Sequence, residues 1–316
     1  RLLRGGLSLA RRRKGRSVNG ILLLDKPLGI SSNGALQKVK HLFEAAKAGH
    51  TGSLDPLATG VLPVCLGEAT KFTQFLLDAD KCYRATFRFG MATVSGDADG
   101  EVTRDSGAPE LTETQVLDVL HGFRGDIDQV PPMFSALKHQ GQPLYKLARE
   151  GLEVERKARP VTIHSLALVE FRSGEYPEAD LVVHCSKGTY IRTLAEDIGQ
   201  RLGCGAYLSV LRRTAAGPFK EDQSVTLGEL QSLREQSGLD QLDQLLLPMD
   251  AGMTHLAALQ LEEDSAFYFC RGQAVMVPQV YRQSEEGDIV RVFEMSQPLP
   301  QLLGVGEVTE DGRVAP

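Results

Sequence analysis

The sequence predicts a mixed α+β fold built on a largely antiparallel sheet, followed by a small β-rich domain. Three observations carry that expectation. Stretches of period-two hydrophobicity are interspersed with stretches of helical period, but they do not alternate as repeated βαβ units. Lys81 to Phe89 alternates cleanly, with Tyr83, Ala85, Phe87 and Phe89 on one side and Arg84, Thr86 and Arg88 on the other. Beyond about residue 250, turn signals at Gly272, Glu286-Gly287-Asp288 and Asp311-Gly312 punctuate short apolar runs.

In chain order, Gly20 to Leu24 is a short apolar run ending at Asp25-Lys26-Pro27, a buried strand stopped by proline. Ser31-Ser32-Asn33 offers a helix cap, and Leu36, Val39 and Phe43 follow at helical spacing. Gly49 to Gly60 is dense in breakers and reads as a loop. Val61 to Leu66 returns to strand, and Ala69, Phe72, Phe75 and Leu76 mark one face of a short helix. After the alternating strand, Thr112 and Gln115 form a capping box for a helix through Val116, Leu117, Leu120 and Phe123. Val161 to Phe171 and Leu181 to Ser186 are strands, Ile191, Leu194, Ile198 and Leu202 a helix, and Tyr207 to Leu211 a strand. Thr226 and Glu229 cap one more helix, and the polar stretch Gln236 to Gln244 with Pro248 reads as a linker. The expected division is a basic, flexible arm over 1–17, a domain over 18–249 and a second over 250–316, its last strand cut short.

A chain of 316 residues suits two such domains. No run of 18 apolar residues suggests a membrane span, and Arg1 to Arg16 lacks the apolar centre of a signal peptide, so a cytoplasmic protein is expected. The five cysteines form no C-x-x-C pair and read as thiols in a reducing compartment. The net charge of −6 argues against indiscriminate polyanion binding, although Arg11-Arg12-Arg13-Lys14 is a basic run that can touch nucleic acid or simply remain solvated.

Three stretches carry candidate chemistry. In Gly49-His50-Thr51-Gly52-Ser53-Leu54-Asp55-Pro56-Leu57-Ala58-Thr59-Gly60, glycine and proline shape a loop around one carboxylate. Asp55 is a candidate catalytic group, and equally a residue that closes an Asx turn. In Ser186-Lys187-Gly188-Thr189-Tyr190-Ile191-Arg192, the arginine falls in the first turn of a helix, where the dipole disfavours a cation by roughly 0.3–1 kcal/mol. It therefore calls for a compensating anion, and Asp55 is the candidate, with its pKa expected to be lowered by the pairing. Tyr83 is the one aromatic with a polar tip on its strand face. It suits stacking on a flipped base, and it suits the core. Other motifs fail. Asp97-Ala98-Asp99-Gly100 has its glycine at the wrong position for a calcium loop, Lys187-Gly188-Thr189 reverses the phosphate-loop order, and H-E-x-x-H and G-x-S-x-G are absent. No metal or cofactor is expected.

Together these stretches resemble the TruB family of tRNA pseudouridine synthases. The resemblance runs from Asn19-Gly20 to about Pro316. It includes Leu24-Asp25-Lys26-Pro27-Leu28-Gly29-Ile30-Ser31-Ser32, the Gly49 to Gly60 loop, Gly67-Glu68-Ala69-Thr70-Lys71, Met133-Phe134-Ser135-Ala136-Leu137-Lys138, Ser186 to Arg192 and Leu211-Arg212-Arg213. It implies a pseudouridine-synthase core with a C-terminal PUA-like RNA-binding domain, and isomerisation of the T-loop uridine at tRNA position 55 by base flipping. Asp55 takes the place of the catalytic aspartate. His50 matches a residue contacting the substrate near the displaced base, Tyr83 one stacking on the uracil, and Leu211 one lining its pocket. Tyr190 and Arg192 match the second active-site motif, with the arginine pairing to the aspartate. Lys26 and Pro27 match a motif packed beneath the site as support. Arg212, Arg213 and Lys187 are candidates to meet phosphates. The chain departs from the family at Thr93-Val94-Ser95, where Thr-Asp-Thr is usual. The implied partner is tRNA through its T-arm, acting on a monomer without guide RNA or obligatory protein partner. A binding-only chaperone and a guide-directed enzyme are the rival readings.

Overall fold

The structure, a computed structural model, describes residues 15–278, 280, 284–295 and 299–316. The opening apolar run forms β1 (Gly20–Lys26), and Ser31 caps α1 (Ser32–Leu42) by accepting from the Gly34 amide. Next come β2 (Ala48–His50), β3 (Ala58–Leu66), α2 (Thr73–Leu77) and β4 (Lys81–Phe89). A hairpin of β5 (Met91–Thr93) and β6 (Val102–Asp105) leads to α3 (Glu113–His121), which starts on the expected Thr112/Gln115 capping box. Then follow β7 (Gly125–Gln129), β8 (Lys138–His139), β9 (Gln142–Pro143), α4 (Leu144–Arg149), β10 (Arg159–Arg172) and β11 (Glu178–Cys185). The domain finishes with α5 (Ile191–Arg201), β12 (Ala206–Ala216), β13 (Phe219–Lys220), β14 (Val225–Thr226) and α6 (Leu227–Asp243).

Among the described residues, ten of these strands make one sheet, in the order β14-β1-β3-β12-β4-β11-β10-β7, with β2 added on β3 and β13 on β12. Only β1–β14 and β3–β12 pair in parallel within it. The sheet is apolar on both faces where β1 and β3 lie, because each face is covered. Leu22, Leu24, Leu62 and Val64 point into the main core with α1, α3, α5 and α6. Ile21, Leu23, Val61 and Cys65 point the other way, against Leu76, Ala216 and Phe219. This is why Gly20–Leu24 and Val61–Leu66 read as continuous apolar runs while β4, solvated on one face, alternates.

The second domain is small and β-rich, as expected. Its strands β15 (Ala258–Leu261), β16 (Val275–Met276), β17 (Ile289–Glu294), β18 (Gln301–Val308) and β19 (Arg313–Ala315) form a sheet in the order β15-β17-β18-β19-β16, with the short helix α7 (Glu263–Phe269) beside it. It has its own core of Leu259, Leu261, Phe269, Val275, Val290, Val292, Val308 and Val314. Arg291 bonds Asp250 at 2.8 Å and the Leu256 carbonyl, fastening the segment that leads into β15.

Four expectations change. The supposed linker Gln236 to Gln244 is helix as far as Asp243, kinked at Gly238 with φ of 80°. Tertiary contact overrides its polar composition: Leu242 is buried in the main core and Asp243 pairs with Arg16 at 2.5 Å. That pairing also docks the end of the basic arm, whose first fourteen residues lie outside the described residues. The Gly49–Gly60 loop is shorter than its glycines suggested, since β2 and β3 claim its ends. The short helix after β3 is a 3₁₀ stretch, Gly67–Phe72, followed by α2.

Candidate active site

The loop between β2 and β3 is held from three directions. The Ser32 hydroxyl accepts from the Leu54 amide at 2.7 Å and donates to the Leu54 carbonyl at 3.0 Å, while the Leu54 side chain inserts into the main core. The Gly29 amide donates to Pro56 O at 2.8 Å. Arg213, 1% exposed on β12, donates from Nη2 to Gly52 O and from Nε to Val61 O. The backbone comes so close here that a Cβ on Gly60, at φ of 101°, would lie 2.2 Å from Arg213 O. Only glycine fits that approach. The residue after Leu54 is thus presented on a fixed frame, and it is Asp55.

Arg192 enters from the start of α5. Its side chain runs inward and the residue is 4% exposed. Nη1 donates to Ser95 O at 3.0 Å and Nη2 to Phe134 O at 2.8 Å. Nε lies 3.0 Å from Asp55 Oδ2 and 3.7 Å from Asp97 Oδ2. The cation that the helix dipole disfavours therefore faces two carboxylates, and the distance to Asp55 is within the reach expected from sequence. Asp97 is buried and held by Ser95 Oγ at 2.5 Å and the Asp99 amide at 3.2 Å. The Asp55 side chain, by contrast, is 44% open. One carboxylate of the trio is structural in its surroundings and the other faces solvent.

The electrostatics correct one expectation. Asp55 is pushed above the usual aspartate range, not below it: partial burial raises it first, Arg192 opposes, and Asp97 raises it again. Lys26, the wholly buried last residue of β1, is pushed down to about 8 by desolvation although the Asp55 charge favours its ammonium. Its Nζ donates to Pro27 O at 2.8 Å and Ile30 O at 2.6 Å, closing the turn that follows β1. Pro27 itself is exposed and does not pack beneath the site; its carbonyl accepts from Lys26.

Tyr83 is 8% exposed and sits in the main core face of β4, where burial pushes its phenol up despite nearby Arg213. Leu211 lies beside it on β12, between Ala58 and Ala85. Tyr190 precedes α5, its backbone held by Gln129 through both N and O, and its phenol is pushed up by burial. Tyr83 and Tyr190 both lie within the electrostatic reach of Asp55. His50, at the end of β2, is lowered by burial and by Arg213, and its Nδ1 is buried without a partner. A neutral imidazole with one unspent nitrogen suits hydrogen bonding to a nucleic acid group better than ion pairing.

The candidate phosphate contacts are redirected. Arg213 is consumed by the loop. Arg212 grips Asp25 through two 3.0 Å bonds and Glu221 at 2.7 Å. Lys187 remains exposed but pairs with Asp78 at 2.7 Å. The Thr93–Asp97 turn needs no side-chain acceptor at Val94, which is 56% exposed: Thr93 Oγ1 donates to Asp97 O, and Ser95 supplies its carbonyl to Arg192. Asp97 and Ser32 are the site's unanticipated members. The dense turn residues Ser95-Gly96-Asp97 were the available signal for the first; Ser32, next to the capping Ser31, gives no hint in sequence that it clamps a loop 22 residues on.

Residues 40–191 match the TruB family pseudouridylate synthase N-terminal domain, residues 192–254 the tRNA pseudouridylate synthase B C-terminal domain, and residues 257–316 the C-terminal domain of pseudouridine synthase II TruB. The chain is 57% identical over 306 residues to tRNA pseudouridine synthase B of Saccharophagus degradans, covering 97% of each. It is 54% identical to the Pseudomonas aeruginosa protein of that name, with 95% of each covered, and 50% identical to the Coxiella burnetii one, with 95% of this chain and 94% of that one covered. Among solved structures, a chain of the Cbf5-Nop10-Gar1 complex superposes with a TM-score of 0.67 at 28% identity, covering 92% of this chain and 78% of that one. The archaeal box H/ACA Nop10-Cbf5 complex gives 0.68 at 25%, with 94% and 84% covered. With a carboxylate presented on a pinned loop, an inward arginine to aim it and relatives of this identity along nearly the whole length, the chain belongs to the TruB family of pseudouridine synthases.

Proposed function

We propose that this protein is a tRNA pseudouridine synthase, an isomerase that converts the T-loop uridine at tRNA position 55 to pseudouridine, with Asp55 as its catalytic carboxylate. The observation that carries the reading is the 3.0 Å contact between Asp55 and a buried, carbonyl-anchored Arg192. The contact orients the carboxylate while leaving it accessible.

The reaction breaks the C1′–N1 bond, turns the uracil and joins C1′ to C5, and the C5 proton leaves as N1 gains one. Substrate and product are isomers, so the balance requires no redox partner. A carboxylate serves as nucleophile toward C1′ or the base, or as acceptor of a sugar proton. Each of these roles needs Asp55 ionised and fixed in direction, which Arg192 and the pinned loop supply. Flipping the target uridine out of its stack costs roughly a few kcal/mol. Tyr83 and Leu211 would receive the base, His50 would contact the strand near the gap it leaves, and Tyr190 would close the pocket's side.

The curated relatives carry the name of a tRNA enzyme, whereas the solved neighbours are chains from multi-protein complexes. The higher identity to the former, 57% against 28%, favours a chain that acts by itself on the T-arm as a monomer, without a guide RNA. The test is tritium release from C5-labelled uridine in a tRNA transcript, using the purified chain alone. Release by wild type is expected. Asp55→Asn is expected to abolish it while changing tRNA affinity by less than about tenfold, or roughly 1.4 kcal/mol. Turnover by the variant above about a thousandth of wild type would sink the catalytic assignment.

A further inference from the structure

Away from the candidate active site, three ligating side chains converge at one end of the large sheet. His164 Nε2 lies 3.2 Å from Asp80 Oδ2, and His184 Nε2 lies 3.8 Å from the same oxygen. The two imidazole rings are 4.7 Å apart, and one ligand atom from each of the three residues falls within 4.8 Å of the others.

The backbone brings this about through a local irregularity. β10 and β11 pair with Ile163 opposite Cys185 and Ser165 opposite His184, so His164 is the extra residue of a β-bulge. A bulge places two successive side chains on one side of a strand and so re-aims one of them. His164 and Ser165 are both exposed as a result, and His164 joins His184 on the solvent face of the sheet. Asp80 arrives from the neighbouring strand, one residue before β4, whose Lys81 pairs with Cys185. Three chain segments thus contribute one ligand each.

We propose that Asp80, His164 and His184 bind a divalent transition-metal ion of the zinc class. A tetrahedral ion with bonds near 2.0–2.1 Å holds its ligand atoms about 3.3 Å apart. The 3.2 and 3.8 Å separations from Asp80 lie within about half an ångström of that, whereas the two imidazoles, whose ligand atoms are within 4.8 Å of each other, must close on the ion. Two imidazoles with one carboxylate suit zinc, nickel or copper, whereas calcium and magnesium take oxygen ligands. The fourth position opens on a cleft of about 560 Å³, lined by Asp80, His184, Asp78, His255, Gly217 and Pro218. Of the neighbouring lysines, Lys187 is paired with Asp78, and Lys81, whose charge reaches Asp80, directs its ammonium to the Leu77 and Ala79 carbonyls. A bound ion would staple the chain just before β4, which carries Tyr83, to the end of β11, two residues before the Ser186–Arg192 segment. No sequence spacing announces such a site, because its ligands come from three chain segments and one depends on the bulge.

The experiment is calorimetric titration of Zn²⁺ into chelator-treated full-length protein, with Co²⁺ absorption as a second readout. One equivalent is expected to bind, to raise the thermal midpoint, and to give the visible bands of four-coordinate cobalt. His164→Ala, His184→Ala and Asp80→Asn should each weaken that binding by more than about a hundredfold, exceeding the roughly 10–100-fold effect of losing an outer-shell partner. His121→Ala, on exposed α3, should leave it unchanged. These side chains are exposed or, for His184, half-buried, and circular dichroism verifies that each variant folds. Absence of a stoichiometric site, or one that persists at wild-type affinity in both His164→Ala and His184→Ala, overturns the proposal.

Discussion

Replacing Arg192 by lysine tests the site where structure and chemistry meet. The substitution keeps the charge that Asp97 requires but removes the planar fork. An ammonium cannot reach Ser95 O, Phe134 O, Asp55 and Asp97 together from one point, so at least two contacts are lost. Hydrogen bonds from a charged group are worth about 1.5–3 kcal/mol each. Two of them set the loss near 3 kcal/mol at the low end of that range, before local repacking recovers part of it. The Asp55 contact adds little to stability, because that carboxylate is 44% open and water screens the pair. Its value lies in aim. The expected outcome is a folded protein destabilised by about 2–3 kcal/mol in urea, with single-turnover tritium release slowed at least a hundredfold, equivalent to about 2.7 kcal/mol in the barrier. tRNA affinity should move by less than tenfold. A variant that is destabilised as expected yet turns over within about tenfold of wild type would refute the reasoning: Arg192 would then be holding the Ser95 and Phe134 loops and not directing Asp55.

Three further outcomes follow from the same geometry. Asp55 is raised above the usual aspartate range and acts ionised, so activity should fade on acidification at a pH higher than an ordinary aspartate would give. Asp97→Asn removes a like charge and frees Arg192 for Asp55, so the acid limb of the single-turnover profile should shift to lower pH, and an unmoved or raised limb would contradict this. Tyr83→Phe should bind tRNA like wild type, whereas Tyr83→Ala should bind less well and lose about 3–5 kcal/mol of stability from the cavity left in the main core. Equal tRNA affinities, measured by filter binding on variants verified as folded, would make Tyr83 a core residue only. Gly60→Ala should force the β3–β12 contact apart at Arg213 O, lowering both the thermal midpoint and turnover, and wild-type values for both would remove the need for that close approach.

Elements whose stability is local were legible. The Ser31 cap, the Thr112/Gln115 and Thr226/Glu229 boxes and the alternation of Lys81–Phe89 are each written within a few residues, and the structure has them where the pattern puts them. Elements decided by distant partners were not. The polar end of α6 looks like a linker until Leu242 meets the core and Asp243 meets Arg16 across 227 residues. Arg212 and Arg213 are adjacent and alike in sequence, yet successive strand residues face opposite sides. One grips Asp25 and Glu221, and the other threads inward to the loop.

The chain's own order of residues determined the fold class with its β-rich C-terminal part, the motif-rich loop around Asp55 and the need for an anion near Arg192. Periodicity, capping and the helix dipole act over a few residues and leave their signature in the linear text. Tertiary structure alone decided that Arg192 answers to two carboxylates, that Asp97 is one of them, and that Asp55 is raised where a simple pair would have lowered it. Those outcomes depend on burial and on the sum of charges within a few ångströms. Both are properties of the packed site, assembled from segments distant along the chain, and neither is written in any one of them.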